Sequence, residues 1–343
     1  MGGTRIVATG STPQSLVWLG DLLVDPVGLC RSWDVDGVGR DGHMGFGGLF
    51  DRAAASPSGG HVVLYAERGT KAIVVDMRAS FPRVVRELDR SFYQAETSDY
   101  PVAVGRLRDG REVVAHCPDR YAVVEIEELE SGRRLTEGPR DGDQDIFHSR
   151  LEFSPGGRHL LSVGWLWGPA GVARVFDAER ALVEPSILDG GGEVDALSPI
   201  ADTEITAGCL LDDDRVVLAT GVENFGDSGS EPAVGARELA TWSLSRGTWL
   251  GHARVDHPVG ATLMAYGDAV LTFAGHPRLV SVGTGDVLAE WPEVAVDAKD
   301  TVFGATHVPS PVVALHREHG ILAVAQECSL ALIDLPALPT DPP

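Results

Sequence analysis

Apolar and polar residues alternate over short stretches of this chain, and the stretches then turn back on themselves. In LEFSPGGRHLLSV, residues 151–163, an alternating run meets a Ser-Pro-Gly-Gly turn and a second apolar run follows. That is the pattern of two antiparallel strands joined by a tight turn. The form recurs as AAASPSGGHVVLYA from Ala53, AVGRLRDGREVVAHC from Ala103, TAGCLLDDDRVVLAT from Thr206, TLMAYGDAVLTFA from Thr262 and PVVALHREHGILAVA from Pro311. A third run follows and closes on an aromatic or aliphatic residue, usually with an acid next: Trp33-Asp34, Val75-Asp76, Ile126-Glu127, Phe176-Asp177, Trp242-Ser243, Val282-Gly283 and Ile333-Asp334. Successive endings stand 40 to 66 residues apart. One stretch, RVVRELDRSFYQAE from Arg83, also fits a three-to-four spacing through Val84, Val85, Leu88 and Phe92, so a short helix is the alternative there.

After several endings comes a small or polar turn and a fourth apolar stretch: SGRRL from Ser131, AERAL from Ala178, SRGTWL from Ser245 and GTGDVL from Gly283. The spacing is that of four-stranded propeller blades, roughly 40 to 50 residues each. The whole pattern of apolar-Asp, Ser/Thr-Gly-x-x-Leu, loop, and Ser-Pro-Gly-Gly-Arg-x-Leu resembles the degenerate WD-repeat and YVTN-type β-propellers of bacteria. The resemblance covers nearly the whole chain and implies an all-β, seven-bladed β-propeller of four-stranded antiparallel blades. The last blade offers only three strands before the Pro-rich PALPTDPP, so the orphan TRIVATG from Thr4 is expected to complete it. Residues 1–336 then form a single propeller and residues 337–343 a Pro-rich C-terminal tail.

Composition agrees with many short strands and many turns: among 343 residues there are 41 Gly and 21 Pro, scattered singly. A formal net charge of −22 argues against nucleic acid, whose binding needs clustered Lys and Arg, and leaves cations or basic surfaces as favoured partners. The four cysteines stand far apart without a CxxC pair, so neither a zinc knuckle nor a dithiol redox site is indicated. The opening MGGTRIVATGSTPQSLVWLG does not read as an ordinary secretory signal and no apolar window of membrane-spanning length is seen, so a cytoplasmic location is the default expectation.

Catalytic signatures are lacking: there is no GxSxG, GxxxxGK[ST], HExxH or strand-to-helix GxGxxG. The leading expectation is therefore a non-enzymatic scaffold that binds a protein or peptide through the long loops of blades four and five at the channel mouth. Trp165 and Trp167 alternate in one of those loops, and Glu223, Asn224, Phe225 and Asp227 are neighbours in another. The alternative is an enzyme or small-molecule binder at the same mouth. His43, His148, His257 and His307 each precede a blade's first strand, and their convergence would hold a transition metal. Asp141, Asp143, Asp145 and Glu152 are spaced like the oxygen donors of a calcium loop, although Ile146 stands where such a loop needs Gly. In WD-repeats a connector His serves as a structural hydrogen-bonding group, which is the other reading of these histidines.

Overall fold

A computed structural model describes residues 3–42, 44–46, 48–140, 146–166, 170–189, 203–224, 232–296 and 310–338, with the backbone alone for 170, 223 and 224. β1 (Thr4–Ala8) precedes a first sheet of β2 (Val17–Leu19), β3 (Leu22–Asp25), β4 (Arg31–Asp34) and β5 (Gly39–Arg40). The second sheet holds β6 (Arg52–Ala55), β7 (His61–Tyr65), β8 (Lys71–Asp76) and β9 (Arg83–Asp89). The third has six strands: β10 (Val102–Arg106), β11 (Glu112–His116), β12 (Glu125–Glu128), β13 (Ile146–Phe153), β14 (His159–Leu166) and β15 (Ala170–Asp177). β16 (Thr203–Leu210), β17 (Arg215–Asn224), β18 (Glu238–Ser243) and β19 (Thr248–Arg254) make the fourth. β20 (Leu263–Tyr266), β21 (Ala269–Thr272), β22 (Arg278–Ser281) and β23 (Val287–Glu290) make the fifth. The closing sheet runs β24 (Val313–His316), β25 (Ile321–Gln326) and β26 (Ser329–Asp334), with β1 on its outer edge.

The fold is an all-β propeller, but the expected seven four-stranded blades are corrected, among the described residues, to six sheets, five of four strands and one of six. The third and fourth repeats share a sheet because their innermost strands β10 and β13 pair in parallel at Val102 and Arg150. The two halves of that sheet still face one another across a core of Ala103, Val113, Ile126, Phe153, Leu160 and Phe176. Among the described residues, two repeats also show no fourth strand. Arg134 makes only an isolated bridge to Glu127. After β15, Asp177 caps the single helical turn α1 (Ala178–Ala181) by accepting from the Arg180 N–H at 3.0 Å, and a 3-10 turn follows over Pro185–Asp189. The alternative helix over residues 83–96 is not formed: residues 83–89 are strand β9, with Arg83 and Val84 exposed as befits an outermost strand, and residues 90–96 are loop and turn.

The Ser-Pro turn that opens the repeat forms in the same way twice. Ser56 N–H donates to His61 O at 2.8 Å and Gly59 N–H to Ser56 O at 2.8 Å; Ser154 and Gly157 repeat both bonds at 2.9 and 2.8 Å. In each turn the serine hydroxyl accepts from the histidine N–H at 3.1 Å, and the glycine takes the left-handed φ of +70° or +73°. The acids that end third strands hold the next turn. Asp34 Oδ1 accepts from the N–H groups of Asp36 and Val38, and Asp76 Oδ1 from that of Arg78.

The apolar layers lie between neighbouring sheets. Val17, Val24, Val62 and Leu64 fill the first-to-second interface, for example, and Leu23, Trp33, Ala323 and Leu332 the closing-to-first. The N-terminal strand closes the ring as expected: β1 pairs antiparallel with β26, Thr4 opposite Ile333 and Ala8 opposite Ser329. Innermost strands touch in the succession β24, β2, β6, β10, β13, β16, β20. Among the described residues no helix is long and apolar enough to cross a membrane.

Candidate functional site

The face that carries connections into the innermost strands gathers a row of aromatic rings. β9 ends at Asp89, and Arg90, buried beneath the following loop, donates to Gly69 O at 2.7 Å, Ala95 O at 2.6 Å, Ser98 O at 2.9 Å and Asp99 O at 2.8 Å. Its guanidinium also lies over the Tyr100 ring, 5.2 Å from the centroid. Burial pulls this guanidinium down to about 10, so it stays charged at neutral pH and organises the loop through charge-assisted bonds. The loop thus presents Phe92, 81% exposed, and Tyr93, 49% exposed, on a pinned backbone.

From Tyr93 the row runs inward. Tyr93 and Tyr121 have centroids 5.1 Å apart, Tyr121 and Phe147 4.4 Å at 15°, and Phe147 and Trp165 4.1 Å at 12°. Phe147 and Trp165 are direct cross-strand partners of β13 and β14, which is what brings their rings face to face. Trp165 is therefore half-buried and stacked rather than a free-standing anchor. Trp167 lies outside the described residues. Glu223 and Asn224 end β17, with Asn224 opposite Thr203, while Phe225 and Asp227 lie outside the described residues.

Of the four histidines in the alternative metal reading, only His148 and His257 lie among the described residues. His148 is buried at 2% exposure, with Nδ1 2.7 Å from Ser162 Oγ; burial and the Arg174 charge hold its imidazole down at about 4, so it is neutral at pH 7. His257 lies between β19 and β20, where burial and the Arg278 charge lower it. His43 and His307 lie outside the described residues. The same is true of Asp141, Asp143 and Asp145, while Glu152 commits its Oε2 to the Leu210 N–H at 3.0 Å.

A pocket of about 800 Å³ opens between β20 and β24, the two ends of the succession of touching inner strands. Arg52, Thr262, Phe273, Val312 and Gln326 line it. Arg52 is engaged there with Glu67 Oε2 at 2.9 Å and Ser310 O at 2.9 Å. Thiol chemistry has little support: burial pushes Cys117 and Cys209 up and Cys30 up to about 11, so none of the three is a thiolate at neutral pH.

Sequence reasoning missed Phe92, Tyr93 and Tyr121, which lie in connectors, and Phe147 of β13; the four share no spacing. It also missed Asp21, His316 and His319, the only group of three or more His, Cys, Asp or Glu residues at ligand spacing among those described. Their signal was present in HREHG, where two histidines flank one hairpin turn.

No protein-family model matches the chain, and no curated protein matches it in sequence. Solved structures do resemble it. A chain of the mitotic checkpoint complex matches with a TM-score of 0.55 at 11% identity, covering 96% of this chain and 91% of that one. The computationally designed Ika8 protein matches at 0.51 and 15%, covering 97% and 100%. A chain of Kuenenia stuttgartiensis hydrazine synthase matches at 0.61 and 12%, covering 94% and 96%. These identities carry the architecture alone, so the chain is a β-propeller in fold, similar to proteins of unlike activity.

Proposed function

We propose that this protein is a non-enzymatic scaffold that binds a protein or peptide partner on the face carrying the aromatic row. The carrying observation is that the row ends in exposed Tyr93, with exposed Phe92 next to it on the same loop fixed by Arg90. Large aromatic groups held rigid in water lose little conformational entropy when a partner covers them. Trp167, Glu223, Asn224, Phe225 and Asp227 are further candidate contacts, named from their sequence positions alone. With a net charge of −22, the favoured partner is a segment that places Lys or Arg beside an apolar residue, since aromatic faces also attract cations.

A displayed peptide library panned on the protein tests this. Enriched peptides should combine basic and apolar residues and should bind the Phe92→Ala/Tyr93→Ala double variant at least tenfold more weakly. Both side chains are exposed, so the variant's melting temperature serves as the folding control. A library that yields no binder, or binders indifferent to the double variant, overturns the reading. A small-molecule ligand is the second reading, favoured by the 800 Å³ pocket between β20 and β24. Its binding would be unaffected by that variant.

A further inference from the structure

On the opposite face, where the turns from the first to the second strand of each repeat emerge, two turns meet across the seam that closes the ring. The β24–β25 turn supplies His316 and His319, and the β2–β3 turn supplies Asp21. Asp21 Oδ1 lies 3.3 Å from His316 Nε2 and 3.1 Å from His319 Nε2. One ligand atom from each of the three lies within 4.8 Å of the others. His316 is the fixed member. Its side chain is 8% exposed, and the Trp18 ring packs edge-on against it at 4.8 Å while donating its own N–H to Ala314 O at 3.2 Å. His316 Nε2 is buried, has no hydrogen-bond partner and faces the Asp21 carboxylate. A buried polar atom left in that state is costly unless something else satisfies it.

We propose that Asp21, His316 and His319 bind one divalent transition-metal ion of the zinc class, bridging the first and closing sheets. Bonds near 2.1 Å at tetrahedral angles set ligand atoms about 3.4 Å apart, close to the two carboxylate-to-imidazole separations. The His319 and Asp21 side chains, 46% and 75% exposed, are free to close the remaining gap around the anchored His316. Two imidazoles and one carboxylate suit zinc and its neighbours in the series, whereas magnesium and calcium require oxygen donors. The remaining coordination positions open to water. Binding at Nε2 puts the His316 ring proton on Nδ1, which gives up the long 3.4 Å contact from the His319 N–H. Arg317, between the two histidines, turns instead toward Glu152 at 4.0 Å and does not oppose the ion from within the triad. This inference concerns the face opposite the aromatic row and does not depend on the partner reading.

The experiment is calorimetric titration of chelator-treated full-length protein with ZnCl2, beside His319→Ala and Asp21→Ala. Both substituted side chains are exposed, and melting temperature without metal confirms that the variants fold. Wild type should take up one zinc saturably at this site and gain melting temperature, and each variant should lose at least tenfold in affinity together with the gain. Cobalt substitution should give visible absorption bands of a nitrogen- and oxygen-ligated ion that both variants abolish. No saturable zinc binding, binding indifferent to both substitutions, or preference for Mg2+ or Ca2+ overturns the assignment.

Discussion

Single residues carry more of this fold than their size suggests, and the two Ser-Pro turns allow a matched comparison. Gly59 and Gly157 occupy the same position with the same left-handed φ, but a Cβ at Gly59 would meet Leu19 Cα at 3.4 Å, while one at Gly157 would meet Arg106 O at 1.8 Å. Gly59→Ala should therefore cost about 1 kcal/mol for the backbone conformation alone. Gly157→Ala should cost about 3 kcal/mol, because the neighbouring chain must also move; urea unfolding of the two variants checks the difference. Glu152 is a second case. Arg317 reaches it across the middle of the ring at 4.0 Å, yet loss of water on burial dominates and raises its carboxyl to about 7. Between the ordinary carboxylate value and about 7 the folded chain binds the extra proton, so stability falls as pH rises through that window. Glu152→Gln should stabilise the protein at pH 8 by about 1 kcal/mol, a figure reduced for the third of the side chain that remains open to water. The gain should fade toward pH 4.5 in denaturant titrations, and a pH-independent effect would contradict this account.

Among elements, β1 is the one whose removal the rest of the ring can least replace, because it alone covers the outer edge of β26. Thr9 N–H donates to Cys328 O and Asp334 N–H to Gly3 O, so the odd-numbered amides of β1 point toward β26 and the even-numbered ones outward. Val7→Pro should lose a ladder bond and the packing of Val7 near Leu332, costing about 3 kcal/mol and promoting aggregation through the bared edge. Ile6→Pro, with its amide outward and its side chain 62% exposed, should cost much less; thermal unfolding with light scattering separates the two. This strand was legible in the sequence because TRIVATG had no partner before the first hairpin. The endings of the third strands were legible too, since Asp34, Asp76 and Asp177 perform a local task, holding a turn, that spacing alone reveals. What period-two alternation does not encode is which strand lies beside which. Hence the parallel contact of β10 with β13, made through a single residue pair, reduced seven expected blades to six sheets. The aromatic row was hidden for the same reason: Tyr93 and Tyr121, in two connectors, meet Phe147 of β13 only through the tertiary fold.

At the scale of the whole molecule, consecutive turns on one face are tied by side chains that reach across each seam. Glu112 accepts from Ser58, Asp213 from Ser154 and Gly156, Asp268 from Arg215, and Asp21 contacts His319. Neighbouring sheets thus share polar latches outside the apolar layers, and part of the excess acid in the chain is spent there rather than left facing solvent. The meeting of β1 with β26 has a topological consequence as well. Because Thr4 lies directly opposite Ile333 in an antiparallel ladder, a two-residue reverse turn would be long enough to join the strand ends. The ring could then be opened at another surface turn to give a permuted chain in which the closing contact has become covalent. In such a molecule the order of synthesis would change while the arrangement of sheets stayed the same.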